Sequence, residues 1–508
     1  MSLRPGNDLI DGGGTPPPQG RSAWFIVATA SAACIGIALA SGTHLGLVLI
    51  VLPAFIAIVW QSPKTMIAIL PVWMVLLGLL RRLTPGGSNV TFSGDPVLII
   101  GPIVILLLVF VAASRGAFQH RSRFATAVGV LGTIAFFEAF NPKQGNLLSG
   151  LGGLLFILVP MMAFWIGRTL IDEHLALQIV RTIAVLGLCS AIYGLIQEFH
   201  GLPSWDQTWV STNGYAALTV GSGVLRAFGS FSSAEEYAAF LSISLVAWIA
   251  LSGKKTRLFP PAHLAGTAIV AVALWYESER TAVFLVVLAI GVMAAARLRF
   301  RPIGVLAGGL GAVAMLLVFG SHFGGGGGSS CTSAACQLQT HLTTGISSPL
   351  GSGSSLPGHW SQTVKGILQA VKAPLGHGTG SVTLAASKFA HARTGGTEFD
   401  PGNMGIALGI FGLLAYFVVL WQAVKTAYLD AVIRRDVVSL FALGMLMATL
   451  FQWTNGDLYS VCWLIWLFLG YLDMSLIRAR AEIAALPPPP PAIAWRRPGE
   501  LRQLDVGS

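Results

Sequence analysis

Arg226, Arg280, Glu398, Asp400 and Asn403 are the residues of this chain whose types and spacing best suit chemistry on an anionic substrate that is attacked by a hydroxyl. Arg226 precedes Ala227, Phe228 and Gly229 at the entry to an apolar run, and Arg280 follows Glu279 at a turn between two such runs. A guanidinium presents a planar fork of donors that matches phosphate oxygens, so two arginines near a membrane boundary suit a phosphorylated group hung from a lipid. Glu398, Asp400 and Asn403 fall within six positions, immediately before the apolar run that starts at Met404. A partly desolvated carboxylate there has its pKa raised and can take a proton from an attacking hydroxyl. The plainer roles are open beside these: Arg280 pairing with Glu277 or Glu279, Arg226 reaching lipid head groups, and Asp400 and Asn403 capping a helix whose first turn holds Pro401.

Further contacts to the substrate are expected from Arg81, Arg82, Lys365 and His377, the last lying between glycines in Leu375 to Gly380. The lysines and arginines among them lie where insertion disfavours cations, which an anionic ligand would partner. His359, His377 and His391 lack the tight spacing and the cysteine neighbours of a metal site, so neither a metal nor another cofactor is expected.

The elements that must position these groups are membrane helices. The 508-residue chain is 54% hydrophobic and only 10% charged, against about 25% charged for a soluble domain, which excludes a soluble globular protein. Apolar runs of roughly 16 to 21 residues, each long enough to cross the hydrocarbon as a helix, recur about fourteen times. They are Trp24 to Ala40, Leu45 to Trp60, Thr65 to Leu80, Val97 to Ala113, Ala125 to Phe140, Leu151 to Leu170 and Gln178 to Glu198. The rest are Ala234 to Leu251, Ala262 to Tyr276, Thr281 to Ala296, Ile303 to Gly320, Met404 to Val424, Val437 to Phe451 and Leu458 to Leu476.

Alternate connections collect the basic residues, from Lys64 through Arg115, Arg168, Lys254, Arg297 and Lys425 to Arg478. By the positive-inside rule that side and both termini are cytoplasmic, which accounts for most of the net charge of +10 and leaves nucleic acid without support as a partner. The division is a disordered tail at 1–22, eleven spans over 23–320 with external loops at 81–96 and 199–233, a large external loop at 321–403, three spans over 404–476, and a proline-rich tail at 477–508. In the large loop, Val364, Ile367, Leu368 and Val371 predict an amphipathic helix over Trp360 to Ala373, lying on the membrane and ended by Pro374. Cys331 and Cys336 face a compartment where a disulfide is permitted.

The order of these features resembles the O-antigen ligase and polysaccharide polymerase superfamily. Tyr193 to Gln197, then Pro203, Trp205 and Asp206, then Arg226 to Phe231 with Ser232 and Ser233 look like its external loop, and Glu279 with Arg280 like its second arginine element. Pro374 to Gly380, then Glu398, Asp400 and Asn403, then Gly409 to Leu414 resemble the end of its large loop and the following helix. The resemblance implies a C-type membrane glycosyltransferase architecture and a metal-independent, inverting transfer of a glycan from undecaprenyl pyrophosphate at the periplasmic face of the bacterial inner membrane. Arg226 and Arg280 would hold the pyrophosphate, and the partners would be the lipid-linked oligosaccharide, a glycan acceptor, membrane lipids and a chain-length regulator or export complex. Ligases of the family carry a histidine followed by asparagine before the Gly-x-x-Gly helix, where this chain has Glu398, Phe399, Asp400 and then Asn403. That departure favours a polymerase of exopolysaccharide or O-antigen repeat units over a ligase, with a transporter as the alternative from another class.

Overall fold

In hydrocarbon a chain must satisfy its backbone hydrogen bonds internally, so apolar runs of this length become helices. The computed structural model describes residues 44–84, 95–213, 219–220, 224–252, 260–298, 334–347, 356–383, 389, 395–454 and 456–485. In chain order the helices are α1 (His44–Gln61), α2 (Pro63–Leu83), α3 (Ile100–Ser114), α4 (Arg123–Glu138), α5 (Leu147–Leu170), α6 (Glu173–His200) and α7 (Ser204–Thr212). A hairpin of β1 (Thr219–Val220) and β2 (Val224–Leu225) follows, paired antiparallel with Thr219 opposite Leu225. Then come α8 (Ala234–Ser252), α9 (Pro260–Glu277), α10 (Arg280–Leu298), α11 (Ala334–Ser347), α12 (Leu356–Lys372), α13 (Asp400–Arg434), α14 (Val437–Ala448) and α15 (Tyr459–Ala485). Ser122, Asn146, Asp172 and Asp436 start α4, α5, α6 and α14 by accepting from backbone N–H groups of the first turn.

Among the described residues nine helices are long and apolar enough to cross a membrane, and the protein is a mostly helical, multi-pass membrane protein. Every expected span that falls on described residues coincides with a helix, α4, α9 and α14 being outside those nine. The spans expected at Trp24 to Ala40 and Ile303 to Gly320 lie outside the described residues, as do Cys331, His391 and both tails. Cys336 is disulfide-bonded. Large apolar side chains such as Leu49, Phe110, Phe137, Leu264 and Trp421 stand exposed on the outside of the bundle, as hydrocarbon contact requires.

Two arginines at the end of α2 organise one end of the bundle. Arg81 is paired with Asp95, and its Nη1 donates to Ser232 Oγ at 3.1 Å. Arg82 pairs with Asp206 at 3.0 Å and donates to the Phe231 and Gly229 carbonyls at 2.6 and 2.7 Å. Their guanidinium groups lie over the rings of Trp209 and Phe228, at 4.8 and 4.7 Å from the centroids. Both arginines are enclosed, at 0% and 2% exposure, so the expectation that they touch substrate is corrected: each is consumed by an internal carboxylate. Gln197 completes the clamp, its Oε1 accepting from the N–H groups of Phe228 and Gly229 and its Nε2 donating to Asp206. The loop that follows Arg226 is thereby fixed from two helices.

At the start of α13 a second device operates. Gly409 has φ 65° and ψ −159°, which breaks the helix after its first nine residues. The freed backbone groups find partners in the turn after α12: His377 and Gly378 donate to the carbonyls of Ile406 and Ala407 at 2.9 and 3.0 Å, and Ile410 donates to Pro374 at 3.0 Å. A Cβ at Gly409 would strike the Pro374 carbonyl, so only glycine permits this approach. α12 is the amphipathic helix expected from the sequence, begun four residues earlier. It packs on α13 through its small residues, Thr363, Gly366 and Ala370, while Trp360, Leu368 and Val371 face outward. The backbones of Gly366 and Gly402 touch where the helices cross.

Breaking an enclosed ion pair strands a charge, so Asp206→Ala is expected to cost about 3–5 kcal/mol. Lys64→Ala, which removes the exposed 2.5 Å pair with Asp172 at the other end of the bundle, should cost about 1 kcal/mol or less. Thermal unfolding of the detergent-solubilised variants checks the contrast; equal shifts would contradict it.

Candidate active site

The clamped loop delivers Arg226 to the junction of α9 and α10. Arg226 is 9% exposed; its Nη2 meets the Glu277 carboxylate and, at 3.3 Å, Glu279 Oε2, while Nε donates to the Glu277 carbonyl at 2.9 Å. The junction can aim two carboxylates at one guanidinium because Ser278 between them adopts φ 66°, a left-handed conformation that costs a non-glycine residue about 1 kcal/mol. The Glu279 N–H donates to Glu277 Oε2 at 3.0 Å, closing the turn. Burial draws the Arg226 pKa down, and the Glu277 and Glu279 carboxylates more than offset it, so the group stays charged. Glu277 and Glu279 therefore pair with Arg226, and not with Arg280 as one reading of the sequence had it.

Arg280, the first residue of α10, turns toward α11. Its Nη2 donates to the His341 carbonyl at 2.9 Å and lies 3.1 Å from both ring nitrogens. Leu338, Leu342 and Ile346 form the buried stripe that seats α11 in this position. Burial, with the charges of Arg280 and Arg226, lowers the His341 pKa to about 4, which leaves its imidazole neutral at physiological pH.

From α12 comes His359, whose Nδ1 is 2.9 Å from Glu398 Oε1. Pairing with the Glu398 carboxylate raises the His359 pKa against the opposing effect of burial. The pair lies in the same field as the arginine junction: Glu279 feels both Glu398 and His359, and His359 feels Glu279 and Arg280. Burial, opposed by Arg226 and aided by Glu398, raises the Glu279 pKa as well. Residues 226, 279, 280 and 341 on one hand and 359 and 398 on the other thus lie near enough for their charges to act on each other. Because Nδ1 of His359 faces Glu398 across this ion pair, Nε2 is the nitrogen placed to accept a proton from elsewhere.

Other expected residues are placed elsewhere. Asp400 is fully buried and accepts from Tyr416 Oη at 2.9 Å, Trp453 N at 2.6 Å and Thr454 N at 3.1 Å. Its expected catalytic role is corrected: it ties the head of α13 to the turn before α15. Asn403 is likewise structural, accepting from Thr397 N at 2.6 Å and donating to the Thr397 carbonyl at 2.9 Å. That bracket holds the loop which presents Glu398. Lys365 and His377 line a pocket that Thr397 also lines and to which neither Arg226 nor Arg280 contributes. Among the described residues no group of three or more His, Cys, Asp or Glu side chains comes together as a metal site.

His359 and His341 were the residues that sequence reasoning did not assign. His359 stands at the start of an amphipathic helix, and its pairing with Glu398 across thirty-nine positions leaves no local signature.

Histidine NMR titration checks the electrostatics. His359 should titrate above the ordinary value of 6.5 and fall in Glu398→Gln, where burial becomes the largest influence left on it. Its folded pKa being raised, the stabilisation from this pair is complete below the unfolded value and disappears as pH climbs through the folded one. His341 should titrate near 4 and rise only in part in Arg280→Gln, since burial is the larger cause. A His359 unmoved by Glu398→Gln would contradict the pairing. Comparison with protein-family models, with curated proteins and with solved structures returned no match.

Proposed function

We propose that this chain is a membrane glycosyltransferase, of the type met in O-antigen ligases and polysaccharide polymerases, with about fourteen spans and a C-type architecture. The observation that carries the reading is the meeting of the arginine junction with the His359–Glu398 pair at one end of a membrane bundle. Cations for a phosphorylated leaving group and a base for an attacking hydroxyl are the two requirements of glycosyl transfer from a lipid pyrophosphate.

In this scheme Arg280 faces the pyrophosphate of an undecaprenyl-linked glycan at the periplasmic side of the bacterial inner membrane. Arg226, already engaged by two carboxylates, is a positioning residue that fixes the junction from which Arg280 projects. The acceptor hydroxyl attacks the anomeric carbon as its proton passes to His359 Nε2. The new carbon–oxygen bond forms from the face opposite the pyrophosphate, whose oxygen departs with the electron pair of the broken bond, so the anomeric centre inverts. Glu398 holds the imidazole in the required tautomer and balances its charge, the office that the sequence reading gave to a carboxylate base being shared between two groups.

Growth of the repeat-unit chain is the preferred reaction, with transfer to a separate acceptor as the ligase alternative. A transporter would place ionisable groups near the bilayer centre; here Arg81 and Arg82 end α2, Arg280 begins α10, and Arg226 lies in the loop between β2 and α8.

Purified protein in nanodiscs, given lipid-linked repeat units alone, should produce longer lipid-linked chains. His359→Ala and Arg280→Ala should each lose roughly 100-fold or more in rate. Activity should rise with pH through the raised His359 pKa, and Glu398→Gln should slow the reaction and shift that limb to lower pH. Normal polymer from all three variants would reject the reading, and reaction only after a second acceptor is added would assign ligation.

A further inference from the structure

Against Thr397 lies a pocket of about 550 Å³, within the size range of small-molecule sites. Thr397 lines it while the next residue, Glu398, belongs to the proposed catalytic pair; Gln362 lines it three residues, about 4.5 Å of rise, beyond His359 on α12. The pocket and the proposed base are thus adjacent. Gln362, Lys365 and Gln369 share one face of α12, and Lys143 approaches from the turn after α4. None of these four side chains makes a hydrogen bond to the described protein. The wall behind them is rigid, because Gln144 accepts from Gly380 N at 2.9 Å and donates to the Ala139 carbonyl at 2.6 Å, and His377 is pinned to Ile406.

The carboxylate that faces Lys143 and His377 is Glu138, which also accepts from Asn141 Nδ2 at 2.7 Å. Two lysines against one carboxylate leave the pocket cationic. A pocket for a neutral glycan would offer carboxylates and amides to its hydroxyls; this one offers amides and two ammonium groups whose side chains make no hydrogen bond to the described protein. We infer that the pocket holds the acceptor glycan next to the base, and that this glycan is acidic, with uronate carboxylates meeting Lys143 and Lys365 and its hydroxyls meeting Gln362 and Gln369. The inference rests on the glycosyltransferase reading for the word acceptor, but acidic-glycan binding is measurable without turnover.

The test uses full-length protein in zwitterionic nanodiscs and two probes of equal length, an oligogalacturonate hexamer and neutral maltohexaose, by calorimetry. The acidic hexamer should bind about tenfold or more tightly than the neutral one, and Lys143→Gln/Lys365→Gln should remove that advantage while Lys143→Arg/Lys365→Arg keeps it. Glu398→Gln should bind the hexamer as wild type does while transferring more slowly, so loss of the catalytic reading and loss of this one are told apart. Equal binding of both probes, no binding of either, or undiminished binding by a folded double glutamine variant would each overturn the proposal. So would disappearance of the signal when phosphatidylglycerol is added to the nanodiscs, since the lysines would then be meeting lipid head groups.

Discussion

A guanidinium buried beside hydrocarbon must find a carboxylate or the fold cannot form, and this protein places two such groups in succession at the end of α2. Arg81 and Arg82 meet that demand with Asp95 and Asp206, and then use their remaining donors on Ser232, Gly229 and Phe231. The necessity of pairing therefore becomes a means of fixing a loop. Because that loop begins with Arg226, the geometry of the α9–α10 junction is inherited from the far end of α2. Gln197 and Trp209 add hydrogen bonds to the same loop, so few backbone freedoms remain to it.

The helical architecture was legible because hydropathy over a span-length window reports one strong physical demand, and α1 to α3 follow the apolar runs closely. The local elements were legible too: Pro374 ends α12, and the Glu277 to Arg280 turn exists. The partners of charged residues were not. Tyr193, Gln197, Asp206 and the residues from Arg226 to Ser233 carried the family resemblance, yet in the structure most of them hold each other. Tyr193 and Gln197 both donate to Asp206, a network spread over α6, α7 and a loop that no spacing rule reveals. Asp400 misled for a related reason. A carboxylate at a helix start resembles a proton acceptor, but its partners, Trp453 and Thr454, lie more than fifty residues away.

Glu398 occupies the middle of a short loop with structure on both flanks. Asn403 brackets Thr397 behind it, and Asp400 anchors the residue after next to the turn that precedes α15. Such a loop can keep a half-exposed carboxylate aimed at His359 without burying it, which a membrane helix alone could not do. The cost is a broken helix: the carbonyls freed at Ile406 and Ala407 are tolerated because the α12–α13 turn supplies their donors. The loop that carries Glu398, the glycine-rich turn and the helix break are one mutually dependent unit.

The break at Gly409 also decides how this polypeptide measures a lipid bilayer. Unbroken, the 35 residues of α13 would extend about 52 Å, well beyond a hydrocarbon slab of about 30 Å. Below the break, Ile410 to Arg434 extends about 37 Å, a length that modest tilt accommodates. A single glycine thus divides a helix too long for one crossing into a span-length rod and a short segment that turns back on the α12–α13 connection.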